Sequence, residues 1–164
     1  MINIQKETEQ FPSNAKLWFY WVPRPLLDDE LTYFHQSKRD FLSQWNTHGK
    51  ANSADVWLIE NRCILIVAGN EFEGVSGCSI DKSVAWIKGL SAGWDVDLLD
   101  RNWVMYQAEN QEWVMAKLSQ FWALRKANVV HDETLIVDST ITQFSDVENL
   151  IKPFAQSWHA QMWL

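Results

Sequence analysis

Two short apolar segments near the middle of the chain constrain its fold more than any other feature. Residues 55–60 and 63–68 each have the length of a strand, and both faces of each segment are apolar. Strands with two apolar faces are buried in the centre of a sheet. Asn61-Arg62 joins them as a tight connection, without the glycine that is typical of a hairpin turn. The pattern therefore predicts two neighbouring central strands.

Helix and strand patterns surround this pair. Residues 15–22 predict a first strand, and an acidic turn at residues 28–30 begins a long helix with Gly49 as its C-cap. A second helix is predicted from an N-cap at Ser79 to a C-cap at Gly93. With the strand that follows it, this order matches a ferredoxin-like βαββαβ unit.

The remaining third of the chain predicts a further βαβα-like extension. Its predicted elements are a strand at residues 112–116, which forms a hairpin with the preceding strand at 102–107, a short helix from Ser119, a strand within residues 134–141, and a helix from the capping box Ser145-x-x-Glu148 to Pro153. No linker composition interrupts the pattern. We therefore predict a single α+β domain over residues 1–164, with a mixed or antiparallel sheet covered by helices.

Composition excludes several functional classes. Of 164 residues, 47% are hydrophobic and 21% are charged, which is typical of a folded domain. The net charge of -7 argues against binding to nucleic acid or to an anionic membrane surface. No apolar run approaches the roughly 20 residues of a membrane span, and the polar first ten residues lack a signal-peptide core. These features predict a cytoplasmic protein.

Eleven tryptophans are the most unusual part of the composition. Tryptophan can line a ligand site, but most of these residues fall on periodic apolar positions, which favours a role in the core. The apolar end of the chain, with Trp158, Met162 and Trp163, either packs back on the domain or meets a partner. Packing within the chain is the favoured interpretation, and a homodimer contact is the alternative.

Tests for known motifs leave no cofactor or metal site. Gly49-Lys50 is followed by Ala51, and Gln44 stands where a phosphate loop needs its first glycine. The four histidines do not have zinc-binding spacing, and two cysteines are too few for a zinc cage. We therefore predict no cofactor and no metal ion.

One segment, residues 76–81, carries a candidate chemistry. Free backbone N–H groups at a helix N-terminus bind anions and lower the pKa of a thiol, so Cys78 is a candidate nucleophile. His48 and His159 are the candidate bases, and three neighbours are candidate binding residues: Gly77, Ser79 and Asp81. The alternative is an ordinary helix start, and the acidic residues nearby disfavour further negative charge.

Several short motifs together resemble a family of small proteins from Bacteroidetes. The residues that carry the likeness are Trp45-x-x-His48-Gly49, Gly77-Cys78-Ser79-Ile80-Asp81, Asp97-Leu98 with Arg101, and Ser157-Trp158-His159-Ala160. Members are often named "ABC transporter ATPase". This chain lacks the phosphate loop that an ATPase needs, so the resemblance implies one shared site but no ATPase activity.

Three hypotheses of function follow. The first is a non-catalytic cytoplasmic binding or regulatory protein with a protein or small-molecule partner, because no complete catalytic constellation can be assembled. The second is a small thiol-dependent enzyme or redox protein that uses Cys78 with His48 or His159. The third is a structural homo-oligomer, built through the tryptophan-rich C-terminal tail.

Overall fold

The computed structural model describes residues 11–47, 50, 51, 53–69 and 75–163. They form an α+β fold, as predicted. The strands are β1 (Lys16–Trp21), β2 (Asn46–Thr47), β3 (Lys50–Ala51), β4 (Ser53–Ile59), β5 (Cys63–Gly69), β6 (Trp103–Gln107), β7 (Trp113–Lys117), β8 (Leu135–Val137) and β9 (Ile151–Pro153). The α-helices are α1 (Asp28–Gln44), α2 (Gly77–Trp94), α3 (Leu118–Lys126) and α4 (Trp158–Met162), with 3-10 helices at Phe144–Asn149 and Phe154–Gln156.

β5 lies at the centre of a three-stranded sheet, between β1 and β4, and is antiparallel to both. All seven of its residues are buried, which confirms the central strand predicted at residues 63–68. β4 is at the sheet edge, so the central position predicted for residues 55–60 is wrong. Asp55 of β4 pairs with Lys38 at 2.9 Å, which a partly exposed edge permits. The connection between them has three residues, since Ile59 pairs with Cys63, and its backbone is left-handed at Glu60 and Asn61.

The molecule has four layers, and the side chains of β5 alternate between the two layers on either side of its sheet. Ile64 and Ile66 of β5 face α1 and α2, whereas Leu65 and Val67 face a second sheet. That second sheet has the strand order β7-β6-β8-β9, and its pairs are antiparallel. α3 and the C-terminal segment cover its outer face around Phe121. The layers are therefore helices, sheet, sheet and helices, and the two sheets share the central core.

The ferredoxin-like prediction is correct for five elements and wrong for the sixth. β1 and β4 flank β5 as a split βαβ unit, with α1 as the crossover. β6 should then extend the same sheet beside β1, but it lies in the second sheet. The free edge of β1 is already occupied, because Leu17 N–H donates to Thr142 at 3.0 Å and Phe144 N–H donates to Ala15 at 2.8 Å. Further along, Arg101 donates to the Phe19 carbonyl at 2.8 Å.

Aromatic rings fill the space between α1 and α2. Phe41 stacks on Trp86 with ring centroids 4.6 Å apart and lies 5.0 Å from the ring of Trp45. The Trp86 indole donates to Ser37 at 2.7 Å. Ten of the tryptophans are buried or half-buried, and Trp163 is the exposed one. The prediction that tryptophan fills the core is therefore confirmed for most of the eleven.

The predicted helix from Ser145 to Pro153 is wrong. This stretch forms a 3-10 helix, and Pro153 ends β9. Backbone groups here bond outside the segment, since Ser145 N–H donates to Ser13 at 2.9 Å and Leu150 accepts from Asp138 at 2.8 Å. The predicted C-cap at Gly93 is also wrong, because α2 continues to Trp94 and is closed by Asp95 in left-handed conformation. The predicted C-cap Gly49 lies outside the described residues.

Arg101 tests how much the covered edge of β1 contributes to stability. Arg101→Met keeps an apolar stem near Tyr20 but removes the donor to the buried Phe19 carbonyl. We expect a loss of about 1–3 kcal/mol in the free energy of unfolding, measured by urea denaturation, because a buried acceptor loses its partner. Arg39→Met is the control, since Arg39 donates to exposed Gln36. Equal small losses in both variants would contradict this role.

Candidate functional site

The predicted thiol segment forms the start of α2. Ser76, rather than Ser79, is the N-cap, and its hydroxyl oxygen accepts from the Ser79 N–H at 3.2 Å. Ser79 is buried, and its carbonyl accepts from the Trp45 indole at 2.7 Å, which ties α2 to the end of α1. Ser79 therefore has a clear structural role. Gly77 and Cys78 are exposed on the first turn.

The structure does not bring His159 to Cys78. His159 lies in α4 and contacts the rings of Phe121 and Trp158, with centroids 5.5 and 3.8 Å away. These residues belong to the helical layer on the second sheet, whereas Cys78 belongs to the helical layer on the first. The two sheets separate them. The other candidate base, His48, lies outside the described residues, and Asp81 is exposed on α2.

His159 is unusual because it is buried without a partner for one ring nitrogen. Only 3% of the residue is exposed, and Nδ1 has no hydrogen-bond partner in the part of the chain that the structure describes. Burial lowers the pKa of His159 to about 4, and the nearby Asp138 carboxylate only partly offsets this. The imidazole is therefore neutral at pH 7, and its surroundings give it a packing role.

Asp138 and Lys152 form a buried ion pair on the same sheet. Lys152 Nζ lies 2.8 Å from the Asp138 carboxylate. Burial raises the pKa of Asp138, but the bonds from Lys152 and Thr140 outweigh it and leave the pKa below its usual value. The pair links the ends of β8 and β9. It occurs at positions that sequence patterns do not distinguish from surface charges.

A pocket of about 300 Å³ lies between the N-terminal turn of α1 and the C-terminal half of α2. This α1–α2 pocket is lined by Asp29, Glu30, Tyr33, Gly89, Gly93 and Trp94. Tyr33 is 57% exposed at its rim, and the indole of Trp94 is buried. A Cβ atom added at Gly89 or Gly93 would meet no atom within 4 Å, so bare helix backbone forms one wall.

Arg24 holds the walls of the α1–α2 pocket together. Its guanidinium donates to both Glu30 carboxylate oxygens, at 2.8 and 2.7 Å, and to the Trp94 carbonyl at 2.7 Å. Glu30 also accepts from the Leu27 N–H at 2.8 Å. The Arg24 bond, followed by the backbone bond, lowers the pKa of Glu30 to about 2. The first turn of α1 and the last turn of α2 are thus fixed relative to each other.

Other hollows in the described part of the chain are less suited to a ligand. The widest, of about 560 Å³, is lined by residues that include Arg125, His131 and Trp163. Three of its lining residues already pair, because Arg125 contacts Asp132 at 2.5 Å and His131 lies 3.7 Å from Glu109. The α1–α2 pocket instead places one exposed phenol, Tyr33, beside a helix face that carries no side chains at Gly89 and Gly93.

Sequence reasoning missed the α1–α2 pocket. It assigned residues 28–30 to a helix start and Gly93 to a helix end, and it gave neither group a function. One signal was available, because Gly89 and Gly93 are four residues apart inside one helix. Each glycine in a helix costs about 0.5–1 kcal/mol relative to alanine, so a helix with two on one face has another use for that face.

Comparison with known proteins leaves the pocket without an assignment. The chain matches no protein-family model, no curated protein and no solved structure. In the described ranges, no group of three or more His, Cys, Asp or Glu side chains is placed to hold a metal ion. No helix there is both long and apolar enough to cross a bilayer.

Burial of neutral His159 predicts a pH-dependent stability. The unfolded chain binds a proton near pH 6.5 and the folded chain near pH 4, so the free energy of unfolding falls as pH drops between these values. The maximum slope is about 1.4 kcal/mol per pH unit. His159→Phe should abolish this step in urea denaturation, and exposed His35→Gln should keep it. A step that survives in the Phe variant would assign it to other groups.

Proposed function

We propose that this protein is a non-catalytic binding protein whose ligand occupies the α1–α2 pocket. The observation that carries the proposal is the pocket's construction. It has an exposed phenol at Tyr33, a carboxylate at Asp29 and a helix wall kept bare by Gly89 and Gly93. Small-ligand sites are concave, with volumes of roughly 300–1,000 Å³.

The rigidity of the α1–α2 pocket supports the same proposal. Arg24 bonds Glu30 of α1 and the Trp94 carbonyl of α2, and Phe34 contacts the rings of both Trp86 and Trp94. A site whose walls are fixed before the ligand arrives loses little conformational entropy on binding. This is the arrangement expected of a binding protein.

The thiol-enzyme alternative has less support. A nucleophilic cysteine needs a base within hydrogen-bond reach, and His159 is separated from Cys78 by two sheets. Cys63 is fully buried, and burial raises the pKa of its thiol. Both cysteines are free, which agrees with the reducing cytoplasm that we infer as the location.

Filling the α1–α2 pocket tests the proposed function. Gly93→Leu should keep or slightly raise stability, because Gly93 is exposed in helical conformation and its added side chain enters open space. Screening the full-length chain against a metabolite library by thermal shift should identify compounds that raise the Tm of the wild type. We expect Gly93→Leu to lose that rise, because its side chain occupies the ligand volume.

Ala85→Leu is the matched control for this screen. Ala85 is exposed on the same helix, two turns before Gly93, and does not line the pocket. The control should respond to the same compounds as the wild type. If compounds stabilise the wild type and Gly93→Leu equally, the ligand binds elsewhere and the proposed site is wrong.

A second candidate function, a homodimer through the C-terminal tail, is favoured by one exposed apolar patch. Part of the tail packs on its own domain, since Trp163 stacks on Trp122 with centroids 5.5 Å apart. The neighbouring residues Met162 and Trp163 nevertheless remain 63% and 39% exposed. Apolar groups that adjoin on a surface are typical of contacts between chains.

Sedimentation tests the homodimer with a matched pair of variants. Met162→Glu places a charge in the patch, whereas Leu27→Glu places one at an equally exposed apolar residue in the opposite helical layer. We expect a wild-type dimer that Met162→Glu converts to monomer and Leu27→Glu does not, because a buried unpaired charge is costly. A wild-type monomer at micromolar concentration would overturn this second function.

A further inference from the structure

We infer that the α1–α2 pocket binds an organic cation, a guanidinium or alkylammonium group on a short apolar stem. This inference rests on the proposed function and names the chemistry of its ligand. The same chemistry occurs in free amines and in Arg or Lys side chains of a polypeptide. Three independent features of the pocket favour a cation: its charge, its exposed aromatic ring and the group that its elements already bind.

The charge around the α1–α2 pocket is negative. Asp29 and Glu30 contribute carboxylates to its lining, and because Arg24 is paired with Glu30, Asp29 supplies the remaining negative charge, which the N-terminal dipole of α1 partly offsets. α2, all of whose residues are described, has no basic residue in its last turn, so the negative end of its dipole is not offset from within the helix. Lys88 of the same helix lines a different hollow, beside Asp95 and Asp97.

The Tyr33 ring of the α1–α2 pocket suits a cation that carries hydrocarbon. It is 57% exposed and lines the pocket together with the Asp29 carboxylate. A cation over an aromatic face is attracted by the ring quadrupole. The chain uses this contact three times internally, with the guanidinium or ammonium of Arg101, Lys117 and Arg125 within 4.4–5.5 Å of a ring centroid.

The elements of the α1–α2 pocket already bind one guanidinium. Arg24 is held by a carboxylate from the first turn of α1 and a carbonyl from the last turn of α2. Asp29 precedes Glu30 on the same turn, is exposed and accepts the Glu30 N–H at 3.0 Å through Oδ1, and among the described residues no donor bonds its Oδ2, which can accept from a ligand. A cation in the pocket would therefore meet the chemistry that holds Arg24.

The glycine wall limits the size and shape of the ligand. With a volume of about 300 Å³, the α1–α2 pocket accommodates a planar guanidinium with a short chain but not a large ring system. Gly89 and Gly93 leave backbone atoms within van der Waals reach of a flat group. A stem of a few methylene groups would then lie along the α2 face at Gly89 and Gly93.

Three matched probes test the inference on the full-length protein. Butylguanidinium chloride carries the charge, N-butylurea is its neutral isostere, and sodium butyrate carries the opposite charge. Backbone amide shifts of Gly89, Gly93 and Trp94 report binding in the pocket. We expect a Kd for butylguanidinium about tenfold lower than that for butylurea, because an ion pair and a cation–π contact act together. Butyrate should leave these shifts unchanged.

Two aspartates of one helix turn provide the variants. Asp29→Asn keeps an acceptor for the Glu30 N–H but removes the charge, and should weaken butylguanidinium to the level of butylurea. Asp28→Asn is the control, since Asp28 belongs to the same exposed turn but does not line the pocket, and it should leave the Kd unchanged. Binding to the wild type should also weaken at high salt, because salt screens an exposed ion pair.

The outcomes separate this inference from the proposed function. If butylurea binds in the α1–α2 pocket as tightly as butylguanidinium, the cation preference is wrong while the pocket remains a ligand site. Suppose that no probe shifts the three amides, but library compounds raise the Tm of the wild type and not of Gly93→Leu. The cation preference is then wrong, and the proposed function stands. If neither probes nor library compounds bind there, both fail. The natural cation could be a free amine or a side chain of a polypeptide. Basic tetrapeptides and free diamines would therefore be compared as competitors of butylguanidinium.

Discussion

The complete burial of β5 is the constraint on which the rest of the structure depends. All seven of its residues are buried, with alternate side chains pointing to opposite faces of the sheet. A strand with no polar face needs an apolar layer on each side, so the chain must supply two. Helices α1 and α2 form one layer, and the second sheet forms the other. The second sheet then needs its own outer cover, which α3 and the C-terminal segment provide.

This layering explains both the success and the limits of prediction from sequence. Periodicity identified β5 and both long helices, because side-chain burial in those elements repeats at a fixed spacing. It could not predict where β6 would pair. That choice depends on Arg101, Thr142 and Phe144, which lie far along the chain from β1 and occupy its edge. The predicted ends of α2 were wrong for a similar reason. Ser76 and Asp95 cap the helix, but nearby Ser79 and Gly93 are residue types that can also cap a helix, and the sequence does not distinguish them.

The candidate site shows the same division. Sequence reasoning followed reactive side chains, Cys78 and the histidines, because their chemistry can be named without coordinates. The fold places His159 in the opposite helical layer, where it packs among aromatic rings. The α1–α2 pocket instead depends on a tyrosine, a tryptophan and two glycines, each of which has a common structural explanation when considered alone. They form a site only because the two helices bring them together.

Stability and binding are joined at Arg24. Its bonds to Glu30 and to the Trp94 carbonyl close the helical layer that covers β5, and the same two residues line the α1–α2 pocket. A ligand that bonds Asp29 and lies on the α2 face at Gly89 and Gly93 would add contacts across the same pair of helices. Its binding energy would therefore resist separation of α1 from α2, in the same direction as the Arg24 bridge. The pocket is thus part of the packing that covers the first sheet, and a bound ligand would stabilise the whole helical layer.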